Sequence, residues 1–202
     1  GLQVWGYLPH VVARNSFDDG SRFLQAGGGD ALVGLQVTPI QLPFPWAVKL
    51  EVKLPMYDVG GIEGSLAPNF PAFGDGQVDL TFYLSAGASL GSIPLYAFGE
   101  VGYRHRTEAY IGTGDTRSFA DGFAFFAQVG YTFFDRVLVA LNSGGIIPFQ
   151  NDDVTKAYVT LGPALVVPIW RGLAAEASFD PVIYARASSP GYGFGFGLSY
   201  KN

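Results

Sequence analysis

Apolar and polar residues alternate with a period of two along almost the whole chain, and a helical period is scarcely seen. From 48 to 54, Val48, Leu50, Val52 and Leu54 oppose Lys49, Glu51 and Lys53. From 78 to 86, Val78, Leu80, Phe82, Leu84 and Ala86 oppose Asp79, Thr81, Tyr83 and Ser85. The split recurs in 123–133, where Phe123, Phe125, Ala127 and Val129 oppose Ala124, Phe126, Gln128 and Gly130. Near the end, Leu173, Ala175, Ala177 and Phe179 oppose Ala174, Glu176, Ser178 and Asp180; Phe194, Phe196, Leu198 and Tyr200 oppose glycines and Ser199. Successive side chains of a strand point to opposite faces, so each run predicts a strand with one oily face. The runs predict about ten strands of roughly 9–13 residues, long enough to cross a bilayer at a tilt. They fall near 1–9, 28–40, 46–56, 77–88, 94–106, 122–134, 136–147, 155–168, 172–185 and 191–202. Pro163 removes a ladder donor from its strand and predicts a bulge or local break.

The connections add an independent pattern. Short links are expected at 41–45, 89–93, 135–136 and 170–172, and long ones at 10–27, 57–76, 107–121, 148–154 and 187–191. Short and long alternate strictly, as in a barrel with tight periplasmic turns and longer extracellular loops. Aromatic rings follow the same division. Phe44, Trp46, Phe133, Phe134, Trp170 and Tyr200 gather at the short-turn ends, and Tyr57, Tyr103, Tyr110, Phe149, Tyr184 and Tyr192 near the long loops. Two such belts are what the two bilayer interfaces select. The expected fold is therefore all-β: a single domain over 1–202, an antiparallel up-and-down transmembrane barrel of about ten strands.

Composition narrows the functions. Of 202 residues only 14% are charged, against a usual value of about 25%, while 49% are hydrophobic. No run approaches the roughly 18 apolar residues of a membrane-spanning helix. The absence of cysteine excludes disulfide scaffolds, thiolate metal sites and thiol nucleophiles. A net charge of −5 argues against nucleic acid as a partner. No signal-peptide pattern opens the sequence at Gly1, so a leader is expected to have been removed or left out.

In a barrel the polar parity faces the lumen. It collects Asp30, Gln36, Lys49, Glu51, Lys53, Asp79, Glu100, Arg104, Arg106, Gln128, Asn142, Lys156, Glu176 and Asp180, with both signs represented. Opposite charges in a narrow ring are expected to pair. They either fill the lumen as a plug or line a narrow selective path. The last strand, GFGFGLSY at 193–200, resembles the terminal signal read by the outer-membrane insertion machinery, through Gly195, Leu198 and Tyr200. It departs from that signal at Gly193 and in the trailing Lys201 and Asn202.

Several segments together resemble a family of Gram-negative outer-membrane proteins, the MetA-pathway of phenol degradation family. They are VWGYLP at 4–9, GDALVGLQ at 29–36, VKLEVKLP at 48–55, FGDGQVD at 73–79 and EVGYR at 100–104. The resemblance covers 30–160 well and the remainder by pattern. It implies a barrel of about twelve strands, so that a further hairpin either precedes Gly1 or is absent here. It also implies uptake of aromatic compounds.

Catalytic motifs are sparse. The two histidines are His10, in the first long loop, and His105, at the outer rim on the lipid-facing parity. His105 invites comparison with lipid A deacylase barrels, but the His-x-Ser spacing is missing and no serine is placed as nucleophile. The adjacent acidic pairs Asp18–Asp19 and Asp152–Asp153, with Asp115, read as solvated loop carboxylates rather than protease or calcium ligands. The glycine-rich run 112–116 lacks the Lys-Ser/Thr of a phosphate loop. No enzyme activity, metal or cofactor is expected. The leading expectation is a channel for passive uptake of small, hydrophobic or aromatic solutes through a narrow charged lumen. The alternative is a plugged structural barrel whose long loops bind a partner protein or a surface polymer. Expected partners are the bilayer, lipopolysaccharide, the insertion machinery and a small solute. Trp46, Phe133, Trp170 and Tyr200 would mark one interface, and Tyr103 and Tyr192 the other.

Overall fold

The structure, a computed structural model, describes residues 1–39, 44–57, 73–110, 116–134, 136–188 and 191–200. Most of the 41–45 link, the centre of the 57–76 loop, Asp115 with most of the run 112–116, Asp135 and the residues after Tyr200 lie outside the described residues, as does the side chain of Tyr110.

Every regular element among the described residues is a strand. In chain order they are β1 (Leu2–Tyr7), β2 (His10–Ser16), β3 (Arg22–Gly28), β4 (Asp30–Val37), β5 (Trp46–Pro55), β6 (Asp79–Leu90) and β7 (Leu95–Arg106). There follow β8 (Ala109–Tyr110), β9 (Thr116–Arg117), β10 (Gly122–Phe133), β11 (Val137–Pro148), β12 (Ala157–Trp170), β13 (Leu173–Arg186) and β14 (Tyr192–Tyr200). Ten form one antiparallel sheet in the order β1-β4-β5-β6-β7-β10-β11-β12-β13-β14. The sheet is up-and-down and curls into a half-barrel, with β1 and β14 as its edges.

The ten sheet strands coincide with the ten runs of alternating residues. The expected loop 10–27 differs: most of it is a second hairpin, β2 paired to β3 from His10↔Gly28 to Ser16↔Arg22. A hairpin outside the main sheet needs no oily face, so it leaves no clean alternation in the sequence. The 107–121 connection likewise carries the small β8–β9 ladder.

Pairing registers place all the short turns at one end of the sheet and all the long connections at the other. The tightest turn joins Trp170↔Leu173, and its residues Arg171 (φ 35°) and Gly172 (φ 85°) both adopt the left-handed backbone that a two-residue hairpin turn demands. Pro163 keeps its place opposite Leu141 on β11. On the β13 side the paired residues pass from Thr160↔Val182 to Ala164↔Ser178, so the ladder is interrupted around the proline as expected.

Burial is inverted relative to a water-soluble sheet. Fully buried apolar residues among the described ones are five alanines and Tyr83, whereas the outward Leu80, Phe82, Leu84, Val101, Val129 and Leu141 are exposed. The total accessible area is 13021 Å², against about 9,000 Å² for a compact soluble monomer of this mass. The well-packed face is the concave one, and it is polar.

Candidate functional site

The concave face of β5, β6 and β7 carries alternate residues from each strand, and the register sets opposite charges side by side. Lys53 pairs with Asp79, and Asp79 with Arg106 across the next ladder; Lys49 faces Tyr83, and Ser85 faces Glu100. Asp79, only 1% exposed, is the hub. It accepts hydrogen bonds from Nε and Nη2 of Arg104 and from Arg106 Nε (3.3 Å), and pairs with Lys53 Nζ at 3.3 Å. Lys53 also reaches Asp30 at 3.2 Å. Three cations around a buried carboxylate, two of them shared with Asp30 and Asp75, satisfy the requirement that buried charge be paired.

A second cluster lies toward the short-turn end. Lys49 Nζ sits 3.0 Å from Glu100, 4.0 Å above the Tyr83 ring and 3.8 Å from Glu51. Glu100 accepts a further bond from Ser85 Oγ at 3.3 Å. Glu51 accepts only a long bond from the Tyr83 hydroxyl, 3.4 Å. A third, uncharged chain follows on β7, β10 and β11: Tyr96 donates to Gln128 Oε1, and Gln128 donates to Asn142 Oδ1 at 2.7 Å.

The segment 73–77, at the end of the longest connection, crosses the mouth of this face as a strap. Asp75 accepts from Arg106 Nη2 on β7 (3.0 Å) and from Lys156 Nζ beside β12 (2.5 Å). Two positions 81 residues apart are thereby tied across the curl of the sheet. The strap is anchored behind by Tyr57, whose hydroxyl donates to Asp30 Oδ1 and accepts from the Gly76 amide, both at 2.9 Å. Burial, with Asp30 alongside, pushes the Tyr57 phenol up, so it stays a donor. Burial alone would raise the Asp75 carboxyl. The hydrogen bonds and charges of Lys156 and Arg106 outweigh it and hold Asp75 below the usual carboxylate range. Gln77, at the other end of the strap, is buried with neither amide atom hydrogen-bonded among the described residues.

Beneath the strap lies a cavity of about 370 Å³. One wall is charged, built from Glu51, Lys53, Asp79, Glu100 and Arg104 with Tyr83; the other is mostly apolar, built from Ala124, Phe126, Gly144 and Ile146 with the hydroxyl-bearing Tyr158 and Thr160 beside them. A further space of about 250 Å³ under Gly74 and Asp75 shares Lys53, Arg104, Ile146 and Tyr158 with it.

The outer rim carries a separate group. Asp121 accepts from the Tyr103 hydroxyl, from the Arg106 amide and from His105 Nδ1, at 2.5, 2.9 and 3.1 Å. The rings of Tyr103 and Phe123 flank Phe149. Ser118 donates to Glu108, and among the described residues His105 is hydrogen-bonded to Asp121 and to no serine.

Of the residues expected inside, Asp30, Lys49, Glu51, Lys53, Asp79, Glu100, Arg104 and Arg106 come together in the ionic network. Gln128 joins the amide chain, and Lys156 the strap. Glu176 and Asp180 stand apart: Glu176 is exposed, and Asp180 accepts from Ser178. Trp46, Phe133, Trp170 and Tyr200 lie at the short-turn end, and Tyr103 and Tyr192 at the other. Asp75 and Tyr57 carry no strand period, and only the FGDGQ run marks the strap in the sequence. No protein-family model matches this chain, and no curated protein is significantly similar to it.

Proposed function

We propose that the chain is an outer-membrane barrel of a Gram-negative bacterium and that its lumen is a narrow conduit for passive uptake of small solutes. The observation that carries this reading is the cavity between a charged and an apolar wall beneath a tethered strap. The outward face supports the membrane location, because bare leucines, valines and phenylalanines on every second position suit acyl chains and not water. Lipid leaves no partner for free strand edges, so the edges β1 and β14 each need a strand partner in the bilayer. A solute with one polar and one apolar side fits the two walls. The resemblance to the MetA-pathway family favours small aromatic compounds.

A specific observation favours the plugged alternative as well: nearly every lumen charge is already paired, and Asp75 closes the mouth. Planar bilayers and liposome swelling separate the two. Purified protein that inserts and passes current and small solutes supports the conduit. Protein that inserts yet passes neither, with or without Asp75, defeats it and leaves the plug.

A further inference from the structure

The geometry points to a binding site in the cavity for a small organic ammonium ion, anchored by Glu51. The inference rests on the conduit reading for its access route, and the lining residues argue for it directly. Five charged side chains face the 370 Å³ cavity: Glu51, Lys53, Asp79, Glu100 and Arg104. That is three carboxylates against two cations. Both cations are committed, Arg104 to Asp79 and Lys53 to Asp30 and Asp79. Asp79 is bonded by three cations, and Glu100 by Lys49 and Ser85.

Glu51 is the exception. Its side chain is 15% exposed, yet its contacts are Lys49 at 3.8 Å, a lysine already 3.0 Å from Glu100, and the Tyr83 hydroxyl at 3.4 Å. An ionised carboxylate has about four acceptor positions and, taken out of water, needs charged donors to fill them. Glu51 therefore presents unfilled acceptor capacity to a cavity that still has room. Opposite it stand Ala124, Phe126, Gly144 and Ile146, which offer an apolar body van der Waals contact, with the hydroxyl-bearing Tyr158 and Thr160 at their side and no charge among them. A primary ammonium on a small aromatic or branched aliphatic body satisfies both walls. A carboxylate fits less well, because each lining cation already holds a carboxylate and three carboxylates line the space. The cavity volume falls in the range of small-molecule sites.

The probes are benzylammonium, benzoate and benzyl alcohol, which share a ring and differ in charge. Binding to the full chain in detergent micelles, followed by calorimetry or ligand-observed NMR, needs no conduction. The expected order is benzylammonium well ahead of both others. Glu51→Gln, nearly isosteric, weakens benzylammonium binding about tenfold or more and leaves benzyl alcohol unchanged. Lys49→Met removes the cation paired with Glu51 and strengthens benzylammonium binding, a gain that misfolding would not produce. Asp18→Asn, in the turn of the β2–β3 hairpin, controls for net charge and changes nothing. Benzoate or benzyl alcohol binding as tightly as benzylammonium overturns the proposal, as does an unaltered affinity in Glu51→Gln or no binding at all. If benzylammonium binds in this pattern while bilayers carry no current, the conduit fails and the site stands. Current without this pattern gives the converse.

Discussion

At the scale of single residues, Asp75 joins a connection to a sheet through two bonds of unequal worth. Its bond to Arg106, which is buried, contributes about 1.5–3 kcal/mol, and that to the half-exposed Lys156 less. Loss of even 1.4 kcal/mol, on the order of tenfold in an equilibrium, raises the released population of the strap accordingly. Asp75→Asn is therefore expected to raise single-channel open time or swelling rate about tenfold at pH 7, with the barrel still folded. The wild type is expected to reach the same state by acidification. The Asp75 carboxyl lies lower when folded than the unfolded value of about 3.9, so the strap's contribution is complete above that value. It is lost as the pH falls below about 4 through the lower folded pKa. Conductance recorded from pH 6 downward should rise in that window for the wild type and stay flat there for Asp75→Asn. A flat wild-type trace would separate the strap from the conduction path.

At the scale of strands, the point of closest approach is on β12. A Cβ on Gly162 would stand 1.7 Å from the Phe179 carbonyl oxygen of β13, where the ladder is interrupted between Pro163 and Pro181. Two prolines cannot donate there, and the strands compensate by running backbone against side-chain space. Gly144 on β11 is a control, since its nearest neighbours would be 3.4 Å away. Gly162→Ala is expected to destabilise the barrel by about 1–3 kcal/mol or more, and Gly144→Ala by less. Urea unfolding of both variants in the same micelle checks the order. The strands themselves were legible because a sheet with one oily face writes a period of two into the sequence, as Leu80 to Ser85 do. The β2–β3 hairpin was not, because His10, Arg14, Arg22 and Gln25 alternate with nothing consistently apolar; only Asp19-Gly20 in its turn gave a hairpin signal. The inward charges were legible as a parity, whereas their pairing depends on register, which sequence leaves open. The strap was the least legible. Asp75 acts from a loop, and its partner Lys156 is remote in the chain.

At the scale of the molecule, the decisive property is which side of the sheet is dry. Leu84 lies mid-strand on β6, between Val48 and Val101, and its side chain points outward. If that face meets water, Leu84→Arg is an ordinary surface change and alters stability within about 0.5 kcal/mol. If it meets acyl chains, an arginine near the midplane costs about 2–4 kcal/mol. The membrane reading therefore predicts that Leu84→Arg inserts poorly into liposomes and unfolds at lower urea. Its neighbour Thr81→Ser, on the concave face, is expected to insert as the wild type does. The contrast between these two substitutions also tests the inverted packing as a whole. The polar side holds Asp79 and Arg106 almost out of reach of solvent, while Phe196 on the other side is 84% exposed. Such an arrangement is compatible with an apolar solvent on the exposed side, because in water the same area would drive association. A Leu84→Arg variant that is as stable as the wild type and more soluble without detergent would remove the membrane from the account. The conduit would then have nothing to cross, while the ionic network and the Glu51 site would remain as features of the concave face.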